Sequence, residues 1–150
     1  ARPVGFRTIS IAGVRDPVLI GQIGSVLEGV RSDVAAATGS DARVLFHVYG
    51  KDGVMGPLEP RRGEAAHELG IVVEVVHREQ AEADSVCSLV RSTLLHVGYP
   101  GRISTAGNPA LLYSPSDLPC GEVYEFSVYH LMEVDDPRAL FPLEIAEVGR

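Results

Sequence analysis

Two stretches of this 150-residue chain repeat their apolar residues at helical spacing, and runs that read as strands bracket each of them. In the first, Ile20, Ile23, Leu27, Val30 and Val34 recur at intervals of three and four, which makes one apolar stripe on a helix. Asp16 and Pro17 supply its start: an N-cap acceptor, then a residue whose fixed φ suits the first helical position. Gly39 supplies its stop. Gly21, Gly24 and Gly29 weaken this helix by roughly 1 kcal/mol each relative to Ala, a cost that close packing on a sheet would explain. The second helix spans residues 78–96, with Ala83, Val86, Cys87, Val90, Leu94 and Val97 on one side, and the Gly-Tyr-Pro-Gly run at 98–101 ends it.

Four segments read as strands. Residues 7–14 alternate, with Ile9 and Ile11 expected inward and Thr8 and Ser10 outward. Residues 42–49 place Val44, Phe46 and Val48 on one face, and Leu45, His47 and Tyr49 on the other. Residues 69–76 are apolar except for Gly70 and Glu74, and residues 123–134 alternate around Phe126 and Val128. Between them lie a Gly/Pro-rich excursion at 50–62 and an irregular stretch at 101–120 with three prolines, neither compatible with long regular elements. The order β-α-β-β-α-β predicts a single α+β domain over residues 1–150, a ferredoxin-like βαββαβ sandwich. Its antiparallel sheet carries both helices on one face. The expected core is Ile9, Ile11, Leu27, Val44, Phe46, Val73, Val90, Leu94, Phe126 and Val128. The other sheet face would then carry Leu45, Val72, Val76, Tyr129 and Leu131 without a cover, and an exposed apolar patch of that kind marks an interface.

Composition narrows the function classes. A net charge of −7 and no basic stripe argue against nucleic acid and anionic membrane surfaces as partners. No apolar run approaches the ~20 residues that cross a bilayer, and no basic segment leads into an apolar one as in a secretory signal. Cys87 and Cys120 are too few for a disulfide framework, so reduced thiols and a cytoplasmic location are expected. The third strand has no aromatic residue on which an RNA base could stack, and Arg15-Asp16-Pro17 stands where a metal chaperone would carry paired cysteines. Histidines are scattered without ligand spacing, so neither metal nor cofactor is expected.

The densest polar constellation is late. Arg91 and His96 lie on the second helix, followed by Arg102 and Asn108 in the irregular stretch. Arg91 and Arg102 are suited to carboxylate or phosphate, with Asn108 as a further anion contact. His96 is the candidate general base if the chain catalyses anything.

Residues 15–27 are similar to the entry into the first helix of ACT-type regulatory modules, with Val18 where those carry Gly. This similarity implies the alternative function, a module that binds a small carboxylate without chemistry. A longer likeness runs through VRDPVLIGQI (14–23), VYGKDGVMG (48–56), HELGIVVE (67–74), RSTLLHVGYPGR (91–102) and GEVYEFSVYHLMEV (121–134). Together these resemble the C-terminal portion of the AtuA-type acyclic-terpene-utilisation family. The resemblance implies an accessory domain in catabolism of branched acyl or carboxylic-acid substrates, with a hydratase or lyase step on a CoA thioester. The open sheet face is expected to be covered by a second copy in a homo-oligomer or by a larger AtuA-like domain. Isolated, such a domain would be inactive.

Overall fold

The computed structural model describes residues 1–103, 107–128 and 130–149. Strand β1 (Arg2–Val14) leads into α1 (Pro17–Thr38), then β2 (Arg43–Tyr49), β3 (Leu69–His77), α2 (Gln80–His96), the two-residue β4 (Ala110–Leu111) and β5 (Asp117–Glu125). The sheet order is β2-β3-β1-β4, with β5 also paired to β1, and every pairing is antiparallel. The chain is therefore α+β, a five-stranded antiparallel sheet with two helices. No helix among the described residues is long and apolar enough to cross a membrane.

Local chemistry accounts for the first helix. Asp16 accepts the Val18 N–H at 2.9 Å, Pro17 opens the first turn, and Gly39 closes the last at φ 61°. This is the left-handed conformation that glycine takes without strain. Leu19, Ile23, Val26, Leu27, Val30 and Val34 are buried, so the stripe includes Leu19 and Val26 in addition to four of the five expected positions. Ile20 packs at its margin. The helix glycines do not serve the sheet: a Cβ built on Gly21, Gly24 or Gly29 meets nothing within 4 Å. From α2, Ala83, Val86, Cys87, Val90 and Leu94 enter the same core and meet Leu69, Ile71, Val73 and Val75. Val44 and Phe46 pack against it half-buried.

The phase of β1 is opposite to expectation. Thr8 and Ser10 are 0% and 1% exposed, and they lie in register with Val75 and Val73 beneath the helices. Ile9 and Ile11 are half-buried on the other face, opposite Glu74 and Val72. The reason lies in α2, where Gln80 and Asp84 stand one turn apart on the side turned to β1. The Thr8 hydroxyl donates to Asp84 Oδ1 at 2.5 Å and accepts from Gln80 Nε2 at 2.7 Å, while Ser10 donates to the Ser116 carbonyl at 2.9 Å. A buried hydroxyl with both roles filled carries little desolvation cost. Alternation alone does not show which face holds those partners.

The last strand also differs. It begins at Asp117, inside the stretch expected to be irregular, and ends at Glu125. Pro119 is tolerated because, among the described residues, β5 pairs with β1 alone and is an edge strand, and Gly121, at φ 77°, sits where the pairing with β1 slips register. Phe126 and Val128 are 89% and 67% exposed and are not core. Leu131 is exposed outside the sheet, and Tyr129 lies outside the described residues. From 126 onward the described chain is an exposed tail with one short turn, Pro137–Ala139.

Replacing Asp84 by Ala leaves the Thr8 hydroxyl proton buried without an acceptor. The expected loss in urea unfolding is about 1–3 kcal/mol. Adding Thr8→Val to Asp84→Ala restores part of that stability, with a coupling of about 1 kcal/mol between the two sites. Simple addition of the two losses would mean that the bond does not fix the strand.

Candidate functional site

The predicted constellation assembles, but mainly around the last turn of α2. A helix ends with four carbonyls that lack intrahelical partners and with the negative end of its dipole. Arg102 Nη1 donates to the carbonyls of His96 and Val97 at 2.9 and 3.2 Å, placing a cation there. Asn108 Nδ2 donates to Leu94 and Val97 at 3.1 and 2.8 Å, and its backbone N–H donates to Leu95 at 2.9 Å. Arg91 stands earlier on the helix. Its Nε and Nη2 donate to the two Asp117 oxygens at 2.7 and 3.0 Å, and Nη2 also reaches Ser88 Oγ at 3.0 Å. This bidentate pair ties α2 to the first residue of β5. His96 is exposed at the helix end. The structure thus brings Arg102, Asn108 and His96 together, holds Arg91 apart, and gives the two arginines and the asparagine partners within their own chain.

The same end of the molecule is locked to α1. The Tyr99 hydroxyl donates to Asp16 Oδ2 at 2.6 Å, and Gln22 Nε2 donates to the Pro100 carbonyl at 2.9 Å. The Tyr99 bond, with the Val18 N–H, holds the Asp16 carboxyl below its ordinary 3.8.

The cluster that sequence reasoning missed lies on the sheet face away from the helices. Successive cross-strand rows there run Arg43, Val76, Arg7, then Leu45, Glu74, Ile9, Leu118, then His47, Val72, Ile11. Glu74 occupies the middle row, with Arg7 and His47 on diagonals that long side chains can span. Arg7 Nε donates to Glu74 Oε1 at 2.7 Å, and His47 Nε2 lies 2.6 Å from Oε2, so a proton on Nε2 completes the second bond. The Glu74 side chain is 12% exposed, its partners about 40%. Burial raises the Glu74 carboxyl, but the bonds from His47 and Arg7 and the Arg7 charge outweigh it, leaving it below its ordinary 4.5. Around this triad stand Ile9, Ile11, Leu45, Val72 and Leu118, each half-buried. The only signal in the sequence was the single charge in the third strand; its pairing depends on register, which no local pattern reveals.

On the helix side of the sheet, Cys87 is buried in the core from α2, and burial pushes its thiol up to about 12, where it carries no thiolate at neutral pH. Among the described residues, no three His, Cys, Asp or Glu side chains gather as a metal site. Compared with family models, curated proteins and solved structures, the chain matches none.

Glu74→Val tests whether the triad is there for stability. Arg7 and His47 can return to water, so the expected change at pH 7 is within about 1 kcal/mol. Glu74 has a lowered folded pKa, so its contribution is present above about 4.5 and is lost as pH falls through the lower folded value. The wild type should therefore lose ground to Glu74→Val in acid unfolding curves. A loss of several kcal/mol in the variant at pH 7 would make the triad a fold element.

Proposed function

We propose that this chain is the accessory, C-terminal domain of an AtuA-like catabolic protein, docking through its open sheet face onto a larger domain of the same protein. Its finer fold, in this reading, is the ferredoxin-like βαββαβ sandwich; the split strand order and the two crossover helices support that. One observation carries the functional proposal. The sheet face without helices combines five half-exposed apolar side chains with the hydrogen-bonded Arg7–Glu74–His47 triad at its centre.

A solvated face has no need of Ile9, Ile11, Val72, Leu45 and Leu118 in adjacent rows. Covering them gains roughly 25 cal/mol per Å² of apolar area. The triad suits the centre of a docking surface, where a satisfied ion cluster sets register and partner choice more than raw affinity. The likeness to AtuA-type proteins supplies the setting: breakdown of branched acyl or carboxylic-acid substrates, with hydration or lyase chemistry on the larger domain. Self-association through the same apolar face is the other arrangement that would cover it. His96 is exposed at the end of α2, and Arg91, Arg102 and Asn108 have internal partners. These features favour a supporting role over an active site complete in this chain.

Side-chain footprinting of this chain alone and of the product of its full reading frame tests the proposal. Expected is protection of Ile9, Ile11, Leu45 and Val72 in the longer protein only. A reading frame holding no further domain, or equal labelling of these four residues in both proteins, contradicts it.

A further inference from the structure

On the helix side of the molecule, three connections meet at the end of the sheet where β1 runs into α1. There the excursion between β2 and β3 folds over the start of α1. It is built as a closed loop. Lys51, Asp52 and Gly53 all turn their N–H groups to the Val48 carbonyl, and Gly56 N–H bonds the Asp52 carbonyl at 2.7 Å. Arg62 Nη2 donates to the Gly56 carbonyl at 2.7 Å. Gly53 has no room for a side chain, because its Cβ would stand 2.8 Å from the Val48 carbonyl carbon. Arg15 Nη1 donates to the His67 carbonyl at 2.5 Å and holds the loop's far end.

Between this loop and α1 lies a cavity of about 300 Å³, at the small end of the range for ligand sites. Its lining is two-sided. Pro17 and Ile20 from α1, with Ala66 and the buried Leu69, give apolar surface, while Lys51 and Arg62 bring positive charge. The one carboxylate in the lining, Glu64, is paired with Arg61 at 2.6 Å. The Lys51 ammonium has no hydrogen-bond or ion-pair partner among the described residues. On a chain of net charge −7, a cavity whose uncompensated charge is positive is a local exception.

We infer that this cavity binds a small aliphatic monocarboxylate, its carboxylate on Lys51 and Arg62 and its hydrocarbon part against Ile20, Ala66 and Leu69. An apolar floor disfavours a compact, strongly hydrated anion such as phosphate, and the cationic rim disfavours an amine. The cavity lies in the helix layer, on the opposite side of the sheet from the docking face, so the two readings stand or fall separately.

Gly21 provides a clean test. It lines the cavity, and a Cβ built on it meets nothing within 4 Å, so the backbone there accepts a side chain, which also raises helix propensity. Hexanoate is titrated into the chain and the amide resonances of Gly50, Gly63 and Ala66 are followed, with hexylamine and inorganic phosphate as controls. Expected is saturable movement of these amides with hexanoate only. Lys51→Gln, at an exposed position that does not threaten folding, weakens binding about tenfold, the scale of one charge-assisted hydrogen bond. Gly21→Leu abolishes it with an unchanged circular dichroism spectrum. No response to hexanoate overturns the inference, as does an equal response to phosphate or hexylamine. Undiminished binding in Lys51→Gln also overturns it, whether or not Gly21→Leu folds.

Discussion

The bond from the Thr8 hydroxyl to Asp84 decides which way the central strand faces. In β1 the apolar residues that alternate most clearly, Ile9 and Ile11, look outward, because α2 presents Gln80 and Asp84 where Thr8 arrives. Ser10 follows in phase and finds the Ser116 carbonyl. Once these two hydroxyls are inside and satisfied, a period of two leaves no freedom: the isoleucines must lie beside Val72 and Leu118 on the open face. The apolar character of that face follows from a polar interaction on the other side of the sheet.

The polar side of α2 continues this logic toward its C-terminus. Gln80 and Asp84 hold β1, Arg91, which also donates to Ser88, holds Asp117 at the start of β5, and Arg102 and Asn108 cover the terminal carbonyls. Tyr99 then joins the following connection to the N-cap of α1. These contacts give one end of the molecule a defined geometry, on which the closed loop between β2 and β3 rests. Residue types suited to anion recognition are here engaged with backbone carbonyls and a carboxylate of the same chain. The uncompensated positive charge lies a short way off, on Lys51.

What the sequence made legible was set by local chemistry. The Asp16-Pro17 start of α1, the apolar stripe through Ile23, Leu27, Val30 and Val34, and the buried side of α2 all follow from spacing and caps. So do β2 and β3, whose inward residues are apolar at every second position. The phase of β1 was not legible, because Thr8 and Ser10 are buried by partners more than 70 residues away. The extent of the last strand was hidden for a related reason: Asp117, Pro119 and Gly121 read as loop, and only pairing with β1 makes them strand. Glu74 stood out in its strand, but its meaning needed the register that brings Arg7 and His47 to it. The candidate residues late in the chain were recognised as a cluster, while their engagement with the end of α2 depended on how the irregular stretch folds back.

The orientation of β1 underlies both the core and the proposed docking face, and thiol labelling reads it directly. In a Cys120→Ser background, where the remaining Cys87 is buried, single cysteines are placed at positions 9, 10 and 11 and labelled under native conditions. The predicted result is fast labelling of Ile9→Cys and Ile11→Cys and protection of Ser10→Cys up to the unfolding transition. Protection at 9 and 11 with fast labelling at 10 would contradict the strand's phase, and the open apolar face with it.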